Sequence, residues 1–218
     1  ILDNLIAEGK AKSFIIVMES SQNNGTVLGG ATPPPASAPA AAPAAGGAAA
    51  PGGRGGATNP AFERVIVEDL IPFIDANFRT LANREHRGMA GLSLGGMQTR
   101  SIGLKHLELF SQIGVFSGGS VTAEEAAAIP DFKNKVKVLF VSYGSREIDT
   151  PATGRGGAPG TAAPGGGRGG NARTAKSDIE ALKQAGINAH FYVSPQTAHE
   201  WQTWRRSFYQ FAPLAFRD

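Results

Sequence analysis

The sequence predicts an α/β fold, a mostly parallel sheet carrying helices on both faces. Three observations point there. Short apolar runs alternate with segments of helical spacing from residue 59 onward. Ser13-Phe14-Ile15-Ile16-Val17-Met18 is continuously apolar, which suits a strand buried on both faces, and Val136-Lys137-Val138-Leu139-Phe140-Val141-Ser142-Tyr143 reads as a buried strand. Between one such run and the next helical segment stands Gly91-Leu92-Ser93-Leu94-Gly95-Gly96, a G-x-S-x-G pattern in strand–turn–helix context.

The 218 residues suit one domain, residues 1–218, interrupted by two blocks of unusual composition. From Gly29 to Ala57, 26 of 29 residues are Gly, Ala or Pro, too little apolar surface to offset the entropy of ordering. This block, taken as about 24–58, and a Gly-rich one at about 151–172 read as flexible insertions. There is no cysteine, hence no disulfide, thiolate metal site or thiol nucleophile. A net charge of +3 is too weak and scattered for a nucleic-acid partner, and three isolated Arg-Gly-Gly triplets without interleaved aromatics do not change that. No apolar run approaches membrane-spanning length.

Along the chain, Ile1 to Lys10 reads as the tail of an amphipathic helix stopped at Gly9, so the chain is expected to continue upstream. Ser13-Phe14-Ile15-Ile16-Val17-Met18 reads as a buried strand. Asn59-Pro60 is a helix start, and Phe62, Ile66, Leu70, Phe73 and Asn77 carry the helix to about 78, with a possible kink at Pro72. A strand over Arg87–Ala90, a helix over Met97–Leu107 and a strand over Phe110–Ser117 follow. Then come a short helix at Thr122–Ala128, the Val136–Tyr143 strand, a helix at Thr174–Gln184, a strand at Asn188–Val193 and a final helix at Trp201–Phe211.

Ser93 is the candidate nucleophile. A tight turn after a strand holds such a serine at a strained backbone angle, so small residues are expected two places before and after it. The following helix directs free N–H groups at it, Leu94 first. A serine hydroxyl needs a base oriented by a carboxylate. Of four histidines, His86 precedes the nucleophile strand, His106 lies late in the next helix and His190 lies inside a strand. His199 follows the last strand, at the carboxyl edge where Ser93 also lies. The acid should stand between serine and histidine in the chain, just past a strand end. Glu147 fits best in Gly144-Ser145-Arg146-Glu147-Ile148-Asp149, with Asp149 the alternative. No metal or organic cofactor is called for.

With these residues placed, the chain resembles the carbohydrate esterase family 1 group of α/β-hydrolases, the feruloyl and acetylxylan esterases. The resemblance is carried by Asp69 to Ile74, Asn77-Phe78-Arg79, Arg84-Glu85-His86-Arg87 and Ala90 to Gly96. It resumes at His199-Glu200-Trp201 and Trp204, and the family's Gly-Thr/Ser-x-Asp/Glu segment falls on Gly144-Ser145-Arg146-Glu147. It implies a secreted or periplasmic serine esterase that forms an acyl-enzyme on feruloyl or acetyl esters of plant cell-wall polysaccharide. Ser93, His199 and Glu147 would be the triad and the Leu94 N–H an oxyanion donor. Trp201 and Trp204 would either line the acyl pocket or belong to the core. S-formylglutathione hydrolase-like or mycolyltransferase-like chemistry, and a non-catalytic module, are the alternatives. The family also has a strand and a His-Gly-Gly-Gly-like oxyanion loop upstream that nothing here resembles. The expected fold is therefore an α/β-hydrolase-like sheet lacking N-terminal strands.

Overall fold

The computed structural model describes residues 1–19, 59–149 and 168–217. The chain divides into two compact units, one of Ile1–Met18 with Leu81–Asp218, the other of Glu19–Thr80. The insertions expected at about 24–58 and 151–172 lie outside the described residues, except that 168–172 belong to a helix.

The first unit begins with α1 (Leu2–Ala7), which buries Leu5 and is followed by Gly9 at a left-handed φ of +67°, the glycine stop expected. The strand expected over 13–18 is not formed. Ile15 and Met18 are 52% and 89% exposed, and the run joins no ladder among the described residues. A β-branched run becomes a strand only where a neighbour offers hydrogen bonds and a face to bury against, and among the described residues no strand pairs with this one. It is held instead on its N-terminal side. Phe14 meets Phe216 edge-on at 5.2 Å, and Arg217 donates to the Lys10 carbonyl at 2.6 Å.

In the second unit, α2 (Pro60–Arg64) starts at Asn59, whose side chain accepts from the Phe62 N–H at 3.1 Å. Helical winding continues to α3 (Ile71–Asn77), but Val65–Leu70 is a π-helix rather than α-helix. Pro72 accounts for the difference. It has no N–H, and its ring excludes an α-helical carbonyl four residues back, so the turns before it widen. The Ile71 N–H accordingly reaches the Ile66 carbonyl, five residues back.

Strands β1 (Gly88–Leu92), β2 (Gln112–Phe116), β3 (Val138–Gly144) and β4 (Ala189–Ser194) form one sheet in that order, every pair parallel. Among the described residues nothing pairs with the outer edge of β1. The intervening helices are α4 (Leu94–Lys105), α5 (Ala123–Ala128), α6 (Phe132–Lys135), α7 (Ser145–Asp149), α8 (Arg168–Gln184) and α9 (Trp201–Phe211). α7 stands where a loop was expected, and α4 and α8 begin earlier than the spacing indicated, at the strand exit and inside the Gly-rich block.

Alternation along β2 assigns the two faces. Ile113 and its register partner Leu139 are fully buried, and Gly103 of α4 lies against Ile113. On the opposite face Phe116 and Phe140 meet Phe211 of α9 at 5.9 and 5.7 Å, and Ser142 bonds Ser207 at 2.8 Å. Helices therefore cover both faces, and all four strands end at one edge.

The start of α4 is pressed onto the end of β2. A Cβ on Gly118 would stand 2.5 Å from the Gly96 backbone, and one on Gly96 would stand 2.9 Å from the Gly118 Cα. Gly118→Ala is expected to lower the unfolding free energy by about 1–3 kcal/mol, the range for overpacking a buried contact. Urea unfolding checks this, and an unchanged midpoint would contradict it.

Candidate active site

Ser93 is the residue between β1 and α4, with φ +54° and ψ −117°, outside the regions L-residues favour. Its N–H donates to the Phe116 carbonyl at 2.8 Å and its carbonyl accepts from the Met97 N–H at 3.1 Å, which holds the strained turn. A Cβ on Gly91 would stand 2.3 Å from the Gly95 carbonyl oxygen, so only glycine fits there. The matching requirement after the serine falls one residue later than expected. Gly95 has open space where a Cβ would lie, and Gly96 is the crowded position. Leu94 is the first residue of α4, and its N–H has no acceptor within a helix that begins there.

His199 follows β4. Its Nε2 lies 2.7 Å from Ser93 Oγ and its Nδ1 2.7 Å from Glu147 Oε1. An ionised carboxylate only accepts, so Nδ1 carries the proton and Nε2 is left to accept from the serine hydroxyl. Glu147, in α7, has its second oxygen held as well. Oε2 accepts from the Gly144 N–H at 2.7 Å and the Ser117 hydroxyl at 2.8 Å. Asp149 is at the exposed end of α7, and the carboxylate bonded to His199 is that of Glu147. Burial pushes the Glu147 carboxyl up, but hydrogen bonds from His199, Gly144 and Ser117 outweigh it and hold the group below its ordinary value.

The two tryptophans separate. Trp204 is half-buried, edge-on to His199 at 5.1 Å, and its indole N–H donates to Ser117 Oγ at 3.1 Å. Trp201, 74% exposed, meets only the rim of this group, edge-on to Trp204 at 5.2 Å. The loop after β2 is pinned from behind. Tyr143 accepts from the Gly119 N–H at 2.9 Å, and burial pushes its hydroxyl up to about 12. Arg100 donates to the Ser120 carbonyl at 2.5 Å and pairs with Glu125, which closes a capping box with Thr122.

His86, His106 and His190 bond to Asn83, Glu108 and Asn188, away from Ser93. Two cavities, of about 280 and 270 Å³, lie elsewhere, one beside Asp149, Arg173 and Lys176, the other beside Asp131, Lys133 and Leu182. Among the described residues no cluster of His, Asp and Glu is arranged to hold a metal ion, and no helix is long and apolar enough to cross a membrane. Sequence reasoning missed Ser117. Its signal was a serine at a strand end directly before Gly118-Gly119.

Comparison with known proteins follows the same line. The Esterase family model, described as "Putative esterase", matches residues 1–214. The chain is 36% identical over 217 residues to the endo-1,4-beta-xylanase/feruloyl esterase of Xylanibacter ruminicola. That match takes in 100% of this chain and 23% of the relative, so the chain spans about a quarter of that protein's length. Among solved structures, the ferulic acid esterase of Anaeromyces mucronatus in complex with ferulic acid is 18% identical with a TM-score of 0.60, over 98% of this chain and 69% of that one. A variant of the feruloyl esterase module of Clostridium thermocellum complexed with sinapinate is 22% identical with a TM-score of 0.53, over 76% and 60%. These structural likenesses bear on the fold, which is of the same α/β type.

A carboxyl held below its ordinary value adds stability above that value and loses it as pH falls through the folded one. The acid limb of unfolding stability, below the ordinary 4.5 of Glu147, is therefore expected to be steeper in the unsubstituted protein than in Glu147→Gln. Urea midpoints across that range check this, and parallel acid limbs would contradict it.

Proposed function

The chain belongs to the Esterase family, and from that premise we propose that it is a serine carboxylic-ester hydrolase acting on feruloyl or acetyl esters of plant cell-wall polysaccharide. One observation carries the reading: the unbroken hydrogen-bonded line from Ser93 through His199 to Glu147. Ser93 Oγ attacks the ester carbonyl carbon while His199 Nε2 takes its proton, and Glu147 stabilises the imidazolium that results. The Leu94 N–H, at the positive end of α4, donates to the oxyanion, a type of contact whose loss costs about 10²–10³ in rate. Collapse breaks the bond to the alcohol oxygen, which takes the proton from His199 and leaves. Water then attacks the acyl-serine, giving its proton to His199. A second collapse returns that proton to Ser93 Oγ and releases the carboxylic acid.

The relatives support the acyl group. One is named for feruloyl ester cleavage, and two similar structures hold ferulic acid and sinapinate. Trp201, exposed and edge-on to the Trp204 ring that abuts His199, is offered to an aromatic acyl group or a sugar, whereas Trp204 is engaged by His199 and Ser117. A family match from 1 to 214 supports one α/β-hydrolase-type domain, the Gly- and Ala-rich blocks being insertions within it. A polysaccharide of the plant cell wall cannot enter a cell, so the enzyme works outside the cytoplasm, secreted or periplasmic.

Ser93→Ala is expected to lower kcat/KM on methyl ferulate and on p-nitrophenyl acetate by at least about 10³-fold. A fluorophosphonate probe should label the unsubstituted protein and not the variant. Hydrolysis undiminished in Ser93→Ala would overturn the reading.

A further inference from the structure

Ser117 stands directly after β2, buried, at φ +50°. An L-residue there carries strain that glycine would not, and two glycines follow it. The backbone is held by the Ser117 N–H, which donates to the Ser142 carbonyl at 2.8 Å. What serine adds at this position is its hydroxyl, and both sides of that hydroxyl are engaged. It accepts from Trp204 Nε1 at 3.1 Å and donates to Glu147 Oε2 at 2.8 Å.

The direction of this chain is fixed by chemistry. An indole N–H only donates and a carboxylate only accepts, so the single hydroxyl proton must point at Glu147. Together with the Gly144 N–H, it occupies Oε2 and leaves Oε1 for His199. The same Trp204 ring stands perpendicular to the His199 ring, at 89° between planes. One indole thus abuts the base through its ring and reaches the acid through Ser117.

We propose that Ser117 is a positioning residue that fixes the Glu147 carboxylate for His199, oriented in turn by the Trp204 indole N–H. This rests on the reading of Ser93, His199 and Glu147 as a triad and adds two residues that act through it. Ser117 never touches substrate. Its effect passes through Glu147 and is felt in the chemical step rather than in substrate binding.

The test uses the full chain with p-nitrophenyl acetate and compares Ser117→Gly, Ser117→Ala and Glu147→Gln with the two Ser117 variants combined with Glu147→Gln. Ser117→Gly suits the backbone and removes the hydroxyl with its Cβ, whereas Ser117→Ala removes the hydroxyl alone. It is expected to lower kcat about tenfold, as loss of a hydrogen bond to a charged group does, with KM changed by no more than about twofold. In the Glu147→Gln background the same substitution should cause no further loss, because the group it acts through is already altered. Thermal melting separates this from a merely structural role, since Ser117→Gly should melt no lower than the unsubstituted protein.

Unchanged kcat in Ser117→Gly and Ser117→Ala beside a large loss in Glu147→Gln would overturn this inference alone. An equal fold-loss in both backgrounds would also overturn it. Unchanged kcat in Glu147→Gln would overturn the triad reading and this inference with it. If both Ser117 variants fail to fold, Trp204→Phe keeps an aromatic ring, smaller than the indole, and removes the donor. A kcat loss smaller than that of Glu147→Gln, at constant KM, is then expected, and no loss overturns the proposal.

Discussion

The close approach of the start of α4 to the end of β2 is the contact on which the rest depends. Gly96 and Gly118 meet backbone to backbone, with no room for a side chain on either. That contact brings the Ser93 N–H to the Phe116 carbonyl and holds the serine at a positive φ that alone would cost about 1–3 kcal/mol. It also fixes the loop leaving β2, so that Ser117 comes to the Glu147 carboxylate. Nucleophile and acid are referenced to the same strand end.

The acid illustrates how a buried charge is kept charged. Glu147 is drawn from α7 into a largely buried position, where desolvation favours its neutral form. Three donors from three places in the chain reverse that balance: an imidazole from the loop after β4, a backbone N–H at the end of β3 and a hydroxyl after β2. Parallel strands make the convergence possible, because every strand exit lies at the same edge. The antiparallel alternative would send half of these loops to the far side.

Much of the fold was legible because its signals are local. Short runs rich in apolar residues marked β2, β3 and β4, helical spacing marked α4 and α9, and Gly9 and Asn59 marked helix ends where they occur. The Ser13–Met18 run forms no strand because strand formation depends on a partner elsewhere in the chain, which no window of sequence contains. The π-helical turns before Pro72 escaped because periodicity at 3.6 residues tolerates one wide turn. At the site, chain order and strand ends brought out Ser93, His199 and Glu147. They could not reveal Ser117, since its hydroxyl matters through a residue thirty positions away. Nor could they divide the labour of the tryptophans, three residues apart on one helix yet one exposed and one bonded.

The edge of β1, unpaired among the described residues, bears on what the sheet can still accept. Its outer backbone groups have no neighbouring strand among the described residues, and Gly88-Met89-Ala90-Gly91-Leu92 contains no proline or charged side chain. Native sheets usually guard such edges, because a bare one accepts any extended chain that offers a matching ladder. Among the described residues, this edge is where a further extended segment would add to the sheet.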